Sequence, residues 1–370
     1  MNRCAGRIEG RVQSRPRRFR DDTPDEFIMN DIRIAILGVG WAGSKHVEAI
    51  RELGRGLTVD CLVDNDPDFL AEKCAELQVK KSYQLSEDAI ADPEVNAISI
   101  CLPHRFHCDV AVAAARAGKH VLVEKPMAVT VDEATRMIEA ADQNNVKLYV
   151  AENRPYHPMS QRLREIVQSG DPVGEVLAAS MVTGFRAETY GYPGRRAWLA
   201  RPEEGGSGQW LLNGIHDVAQ LRFVFGDVND IYMREHHASS VDRGDVEGTM
   251  VGQLNMADAF QVSILQSREV FVKGGLRGIT IYGDRGTIRT TDSGYEVYGA
   301  DGSPEAFEWP VSDLSDYAQE MDAFVAYVRE GLAGPTTAES ERKSLAVVQA
   351  GYESAASGQV VNIENRFGPL

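Results

Sequence analysis

The chain has 370 residues, of which 43% are hydrophobic and 25% are charged, a balance typical of globular domains. This length suffices for two domains of ordinary size. The formal net charge of -16 at pH 7 repels nucleic-acid phosphates and anionic lipid headgroups, so neither nucleic acid nor a membrane is expected as a partner.

The first twenty residues differ from the rest in charge, because seven arginines stand there against the single acid Glu9. Arg17-Arg18 could begin a twin-arginine export signal, but acidic residues follow where such a signal needs an apolar stretch. We therefore expect residues 1–28 to be a disordered extension. The five cysteines include no CxxC pair, which predicts reduced thiols, no metal site and a cytoplasmic protein.

Short apolar runs alternate with helical stretches in the first part of the chain. This alternation predicts a Rossmann domain over residues 29–151, in which a doubly wound parallel sheet is covered on both faces. The predicted strands are Ile32–Leu37, Leu57–Val63, Ala97–Cys101, Val121–Val123 and Val146–Val150, and the predicted helices are Trp41–Leu53, Pro67–Leu77, Asp109–Ala117 and Thr130–Asn144.

The pattern changes after Ala151, where many apolar segments become polar at alternate positions. Such segments are typical of an antiparallel sheet with one open face. Residues 152–370 are therefore predicted to form a separate α+β domain with a large, mostly antiparallel sheet. Its predicted strands are Val176–Val182, Gly248–Leu254, Phe260–Leu265, Ile279–Tyr282 and Tyr295–Tyr298, and its predicted helices cover about 160–168, 214–224, 313–330 and 338–355.

The segment Gly38-Val39-Gly40-Trp41-Ala42-Gly43 directly follows the first strand and opens the first helix. This is the G-x-G-x-x-G pattern in the context that a dinucleotide site requires. The first glycine permits the tight turn, the second lets the backbone approach a pyrophosphate, and the third lets helix and strand pack closely. The free N–H groups at the helix start favour the phosphates.

Asp64 stands at the end of the second strand, where a carboxylate can accept hydrogen bonds from the adenosine ribose. It would repel a 2′-phosphate, and the following Asn65-Asp66 supplies no arginine for one. These residues favour NAD over NADP. The alternative is that Asp64 only begins a turn.

Lys125 lies between the end of a strand and Pro126. In open α/β sheets the strand ends are where ligands bind, and a lysine there can donate to a substrate oxygen and stabilise a developing alkoxide. The alternative is an ordinary solvated loop lysine.

With these motifs the chain resembles the glucose–fructose oxidoreductase / inositol dehydrogenase (Gfo/Idh/MocA) family over roughly residues 30–362. The resemblance implies an NAD(P)-dependent enzyme that forms homodimers or homotetramers, with Lys125 polarising the substrate. It also implies that residues 152–370 are the domain for substrate binding and oligomerisation. The matching pieces are Gly38-Val39-Gly40 with Gly43, Pro103 with His107, Glu124-Lys125-Pro126, Ala151-Glu152-Asn153-Arg154, Gly206 to His216, Gly283 with Gly286, and Ala350 to Ala355.

The resemblance also implies roles for individual residues. His216 corresponds to the catalytic histidine of the family, although a buried histidine satisfied by the backbone is the alternative. The family pattern has an aspartate where this chain has Leu212, and leucine cannot orient an imidazole or relay a proton. The residues expected to bind the cofactor are Gly38, Val39, Gly40, Trp41, Ala42, Asp64, Asn65, Leu102, Pro103, His104, His107, Glu124, Lys125, Asn153 and Arg154.

Aromatic and arginine residues are dense between Phe185 and Trp210, as in sites that stack on sugar rings and bind their polar groups. The alternative for this segment is a contact between domains or subunits. The residues expected to bind the substrate are Lys125, Tyr190, Tyr192, Trp198, Asn213 and His216.

We therefore expect hydride transfer between the nicotinamide and a hydroxyl-bearing carbon of a sugar, cyclitol or sugar derivative. Two alternatives stay open at this point. One is glycoside cleavage or epimerisation through transient oxidation, which the Leu212 substitution permits. The other is a cofactor-bound regulator without catalysis.

Overall fold

The computed structural model describes residues 32–185, 194–204, 208–237, 246–272 and 275–370. The extension predicted for residues 1–28 lies outside these ranges, as do Tyr190 and Tyr192. None of the helices within the described ranges is both long and apolar enough to cross a lipid bilayer.

The first sheet has six strands, all of them parallel, in the order β3-β2-β1-β4-β5-β6. This order is that of the dinucleotide-binding doubly wound fold, so the predicted Rossmann architecture is confirmed. The strands are β1 (Ile32–Leu37), β2 (Leu57–Val63), β3 (Ser82–Tyr83), β4 (Ala97–Ile100), β5 (His120–Glu124) and β6 (Leu148–Ala151), and the helices are α1 (Trp41–Leu53), α2 (Pro67–Glu76), α3 (Ser86–Ala91), α4 (His107–Arg116) and α5 (Val131–Gln143).

Both faces of this sheet are covered, which is why its central strands are apolar at nearly every position. On one face, Ile34 and Ile36 of β1 belong to a core with Val47 and Ile50 of α1 and with Phe324. Phe324 lies on a helix from the end of the chain, α8 (Asp316–Glu330). The C-terminal part of the chain therefore supplies one of the layers that cover the Rossmann sheet.

The second sheet has nine strands in the order β14-β13-β12-β11-β7-β10-β9-β8-β15. Among the strands that the structure describes in this sheet, only β7 and β10 are paired in parallel, so the predicted mostly antiparallel sheet is confirmed. The strands are β7 (Val176–Gly184), β8 (Val228–His236), β9 (Thr249–Met256), β10 (Gln261–Ser267), β11 (Leu276–Gly283), β12 (Thr287–Thr290), β13 (Gly294–Tyr298), β14 (Pro304–Glu308) and β15 (Val361–Asn362).

Helices cover one face of this sheet. They are α6 (Pro158–Ser169), α7 (Ile215–Phe225), α9 (Ala338–Ser357) and the short α10 (Ile363–Phe367). Along β9, Met250 and Leu254 are completely buried, whereas Val251 on the other face is 38% exposed. The helix predicted from about residue 214 is preceded by a π-helical turn, Trp210–Gly214, and this turn leads into the candidate site.

Candidate active site

The glycine turn leaves room for a pyrophosphate at the start of α1. Gly38 has a φ of +86°, which favours glycine, and a Cβ on Gly43 would lie 2.1 Å from the carbonyl oxygen of Gly38. A Cβ on Gly40 would instead meet no protein atom within 4 Å. Gly40 caps α1 without a side-chain hydrogen bond, so the first N–H groups of the helix stay available to an anion. These features fit a dinucleotide.

Asp64 faces this turn from the end of β2. Its carboxylate accepts a hydrogen bond from the backbone N–H of Val39 at 3.4 Å and one from Asp66 at 3.2 Å. Asn65, beside it, is exposed. An arginine that the sequence did not predict here also reaches the carboxylate. Arg195 forms ion pairs with Asp64 and, at 2.9 Å, with Asp66.

Lys125 directly follows β5, and its Nζ donates a hydrogen bond to the backbone carbonyl oxygen of Leu212 at 2.9 Å. Leu212 belongs to the π-helical turn that leads into α7, four residues before His216. The side chain of Leu212 cannot orient an imidazole, but its backbone carbonyl oxygen binds Lys125. Its backbone orients Lys125 toward the segment that carries the histidine.

His216 is oriented by a carboxylate that follows β6, the strand next to β5 in the Rossmann sheet. Its Nδ1 lies 2.7 Å from Oε1 of Glu152, which directly follows β6 and is completely buried. Although burial opposes the charge of Glu152, its contact with His216 and the nearby Lys125 hold its pKa below the usual value. Because an ionised carboxylate only accepts, Nδ1 carries the proton and Nε2 keeps a free lone pair.

The imidazole itself is neutral at physiological pH. Burial lowers the pKa of His216 to about 4, and the positive charges of Lys125 and Arg154 contribute to the lowering, against the opposing charge of Glu152. A neutral, oriented histidine with a free Nε2 is suited to accept a proton from a hydroxyl group.

Buried anchors fix the turn that carries Leu212. Trp210 is completely buried, and its indole N–H donates to the carbonyl oxygen of Val348 on α9 at 2.9 Å. Its backbone N–H donates to Glu247 at 2.6 Å, and the hydroxyl of Tyr352 donates to the same oxygen at 2.9 Å. Burial raises the pKa of Glu247 to about 7. A Cβ on Gly214 would lie 2.4 Å from the Trp210 ring, so a glycine is required there.

A chain of side-chain amides positions Asn213. Its Nδ2 donates to Gln209 at 3.0 Å, and Nε2 of Gln209 donates to Gln266 on β10 at 2.8 Å. Nε2 of Gln266 in turn donates to Asp217, next to His216 on α7. Asn213 is therefore held in one orientation within the turn that begins the active-site helix.

A second buried pair lies beneath Lys125. Nε2 of His46, on α1, lies 3.2 Å from Oε1 of Glu124, and Nδ1 of His46 lies 2.8 Å from the hydroxyl of Ser99. The other carboxylate oxygen of Glu124 accepts the backbone N–H of Lys125 at 3.1 Å. Glu124 thus links α1 to the backbone of the candidate catalytic lysine, and its contact with a cofactor stays a prediction.

Leu102, Pro103 and His104 lie between β4 and α4, and His107 is the first residue of α4. His107 is completely buried, and its ring nitrogens lie 2.8 Å from the carbonyl oxygen of Leu102 and 3.0 Å from that of Pro126. It therefore connects this loop to the one that carries Lys125. His104 meets the ring of Trp198 edge-on, with ring centroids 4.7 Å apart.

Asn153 and Arg154 follow Glu152 at the end of β6. The side-chain amide of Asn153 donates to Asp316, the first residue of α8, at 2.9 Å. The backbone N–H of Arg154 donates to Oε1 of Glu152 at 3.0 Å, the oxygen that contacts His216. The sequence predicted both as cofactor residues, and Arg154 in addition lies beside the histidine.

The structure therefore brings together the ends of β5 and β6, the π-helical turn and the start of α7. Two residues of the site, Glu152 and Arg195, were not among the predicted ones. Glu152 stands between Ala151 and Asn153 at a strand end, a position that could have signalled it. Arg195 lies far away in the sequence, and no local pattern predicts its contact with Asp64.

Comparisons with known proteins agree with this architecture. A model of the oxidoreductase family with an NAD-binding Rossmann fold (GFO/IDH/MocA) matches residues 32–152, and the GFO/IDH/MocA C-terminal domain matches residues 160–289. A 1,5-anhydro-D-fructose reductase of Ensifer adhaerens is 28% identical over 316 residues, which are 80% of this chain and 87% of the relative.

A myo-inositol 2-dehydrogenase of Thermotoga maritima is 24% identical over 362 residues, covering 91% of this chain and 100% of the relative. A levoglucosan dehydrogenase, solved with NADH and levoglucosan, superposes with a TM-score of 0.80 at 20% identity, over 90% of this chain and 99% of that one. At this identity the structural likeness concerns the fold.

Proposed function

The chain belongs to the Gfo/Idh/MocA family of NAD(P)-dependent oxidoreductases, and on this premise we propose that it transfers a hydride between NAD and a hydroxyl-bearing carbon of a sugar, cyclitol or sugar derivative. The observation that supports this proposal most is the convergence of Lys125 and His216. Lys125 is bound to the turn that begins the histidine helix, and His216 is oriented by Glu152.

The residues divide the chemistry between them. The bound nicotinamide supplies the hydride acceptor. Lys125 donates a hydrogen bond to the substrate oxygen and stabilises the negative charge that develops on it. Nε2 of His216 accepts the hydroxyl proton, while Glu152 stabilises the imidazolium that forms, as a buried carboxylate does in other histidine-based sites.

This arrangement favours catalysis over a purely regulatory role. A histidine that is neutral, oriented and paired with a buried carboxylate is costly to bury, and a binding protein without chemistry has no use for it. In the usual pattern an aspartate at the position of Leu212 orients the histidine, and in this chain Glu152 supplies that carboxylate. Leu212 therefore no longer argues for a different reaction.

The residues around Lys125 and His216 also indicate where the cofactor and the substrate would bind. The carboxylate of Asp64 can accept hydrogen bonds from the ribose hydroxyls, and this supports NAD rather than NADP. Of the residues predicted to recognise the substrate, Trp198 and Asn213 lie in the described part of the chain, and hydrogen bonds hold Asn213 in place. Leu102, Pro103 and His104 would line the nicotinamide end, where the loop after β4 approaches the glycine turn.

Spectrophotometry with purified protein, NAD and a polyol panel tests the proposal. We expect NADH to form with at least one polyol, and Lys125→Met and His216→Ala to lower kcat by about 10²- to 10⁴-fold while NADH still binds. Cleaved or inverted products without net NADH would instead select the transient-oxidation reaction. An absence of affinity for either coenzyme would refute the proposal.

We also propose that the open face of the second sheet joins subunits into a homodimer or homotetramer. Val251 and Tyr282 are 38% and 43% exposed on strands whose other side is buried, and apolar exposure of this kind suits an interface. Light scattering should therefore give a multiple of 40.7 kDa, and Val251→Arg should lower the measured mass.

A further inference from the structure

Three residues of neighbouring strands form one row across the second sheet. Gln266 of β10 is paired with Thr183 of β7, and Thr183 is paired with Arg277 of β11. Residues paired in this way point to the same face of a sheet. Gln266 and Thr183 are buried on the face covered by α7, and Gln266 donates to Asp217 there. Arg277 therefore lies on the same face of the sheet, the one that packs against α7, the helix that contains His216.

Arg154 approaches the same place from the Rossmann sheet. Its backbone N–H and Nδ1 of His216 both bind Oε1 of Glu152, at 3.0 Å and 2.7 Å. Its side-chain Nε is buried and has no hydrogen-bond partner among the residues that the structure describes. A buried donor left without a partner costs free energy, so it is a group that a ligand would satisfy.

Arg277 is exposed near the start of β11, and the charges of the two guanidinium groups act on each other. Desolvation and the charge of Arg154 lower the pKa of Arg277, and the charges of both arginines act on buried Asp217. Within the described part of the chain, neither arginine forms a salt bridge with a carboxylate. Burial also raises the pKa of Asp217, which weakens its ability to compensate the two positive charges. Arg154 and Arg277 thus add two positive charges beside Lys125, where the ionised Glu152 is paired with His216.

We propose that Arg154 and Arg277 bind the carboxylate of the substrate, so that the enzyme acts on a sugar acid, aldonic or uronic, in preference to a neutral polyol. A guanidinium group presents paired N–H donors that match the two oxygens of a carboxylate. The carboxylate fixes one end of the substrate, while Lys125 and His216 engage the hydroxyl that is oxidised at the other. This inference rests on the function proposed above and adds the substrate class.

Matched pairs of acids and neutral sugars test this inference. The pairs are D-glucuronate with D-glucose, D-galacturonate with D-galactose, and D-gluconate with D-glucitol, each titrated calorimetrically into the protein–NADH complex. We expect at least one acid to bind about tenfold or more tightly than its neutral partner, because charge-assisted hydrogen bonds are stronger than neutral ones. D-glucose 6-phosphate is titrated alongside.

Variants assign the effect to the arginines. Arg277→Met should reduce the acid-to-neutral affinity ratio by about 10- to 100-fold, and Arg277→Lys by less, because lysine keeps the charge but loses the planar geometry. Arg289→Met is the matched control, because Arg289 lies on the adjacent β12, is 58% exposed and pairs with Glu296. It should leave the ratio unchanged.

The outcomes separate this inference from the function on which it rests. Neutral sugars that bind as well as the acids, or a ratio unchanged in Arg277→Met, would overturn the sugar-acid assignment while NADH binding and polyol oxidation persist. Tighter binding of D-glucose 6-phosphate than of any acid would also overturn it. If the unaltered protein does not bind NADH, the oxidoreductase function itself is refuted.

Discussion

The carboxylate of Glu152 and the imidazole of His216 are 2.7 Å apart, although 64 residues separate them in the chain. Glu152 directly follows the last strand of the Rossmann sheet, and His216 is the second residue of α7, which covers the second sheet. The proposed proton acceptor thus depends on a contact between residues of the two sheet systems. A change on either side should disturb the tautomer of the histidine.

We expect Glu152→Gln to lower kcat by about 10²- to 10⁴-fold, a range typical of general-base losses. A glutamine can donate its amide to Nδ1, which places the imidazole proton on Nε2 and removes the base. Stopped-flow measurement of NADH formation gives kcat, and fluorescence titration gives the NADH affinity. That affinity should stay within about twofold of the unaltered protein if the effect is on the base.

The control for this variant is Glu165→Gln on α6, where the glutamate is 65% exposed and pairs with Arg162 at the surface. It removes one carboxylate of the same kind without touching the cleft. Equal losses in both variants would argue against a specific role for Glu152.

The pH dependence of oxidation should follow the neutral form of His216. Because burial lowers the pKa of His216 to about 4, the base is available at all pH values above this and is lost only as pH falls through it. We expect kcat/KM for the polyol to be flat from about pH 5 to pH 7 and to fall below. Arg154→Gln removes a charge that lowers this pKa, so the acidic limb should move to higher pH.

A limb near the ordinary histidine pKa, unmoved by Arg154→Gln, would contradict this assignment. Activity recovered at pH 7 after brief incubation at the acidic pH excludes unfolding as the cause of the limb.

The glycine turn and the β1–α1–β2 unit could be predicted to the residue from the sequence, because apolar period and glycine spacing are local properties. Strand β8 was missed because Asp230, Arg234 and Glu235 give it the composition of a loop, and it forms by pairing with β9. The ion pair between Arg195 and Asp64 was missed for a similar reason. The two residues are 131 positions apart, and no local sequence pattern indicates a contact between residues so far apart.

That ion pair leads to a prediction about coenzyme choice. Asp64→Ser removes the carboxylate that repels a 2′-phosphate, and Arg195 then remains beside the vacated position. We expect the ratio of NADP to NAD affinity to rise about 10- to 100-fold, since a hydrogen bond between an arginine and a phosphate is charge-assisted. Titration of NADPH and NADH fluorescence measures both affinities.

The double variant Asp64→Ser/Arg195→Met separates the two contributions. If Arg195 receives the phosphate, the double variant should lose most of the gain in NADP affinity. An equal gain in both variants would mean that only the repulsion by Asp64 matters.

Gly40 and Gly43 should respond differently to alanine. At Gly40 the added methyl meets no protein atom within 4 Å, so folding should be unaffected, but the methyl would occupy the approach of the pyrophosphate. We expect Gly40→Ala to keep its Tm and to weaken NADH binding about tenfold or more. At Gly43 the Cβ would lie 2.1 Å from the Gly38 carbonyl, so Gly43→Ala should lower stability by about 1–3 kcal/mol.

Thermal unfolding without coenzyme and NADH titration together distinguish the two variants. Unchanged NADH affinity in a well-folded Gly40→Ala protein would contradict the placement of the pyrophosphate at this turn.

Glu320 on α8 is completely enclosed, and neither of its carboxylate oxygens has a hydrogen-bond partner among the described residues. Burial, together with the charges of Glu124 and Glu152, raises its pKa well above the usual value. Glu320 therefore stays protonated in the folded protein at pH values where the same carboxyl group of the unfolded chain, with its ordinary pKa, has lost its proton. Stability is lost as pH rises through and beyond that ordinary value, and the loss is present at pH 7.

We expect Glu320→Met, which keeps a similar volume, to raise the free energy of unfolding at pH 7 by about 1–3 kcal/mol, because an unpaired buried carboxyl is replaced by an apolar group. The gain should shrink toward pH 4, where the unfolded chain also keeps the proton. Denaturant unfolding at both pH values measures it. Glu330→Met, at the exposed end of the same helix, is the control and should change stability by less than about 0.5 kcal/mol. A loss of stability in Glu320→Met at pH 7 would contradict this prediction, because it would mean that the carboxylate is compensated in the folded protein.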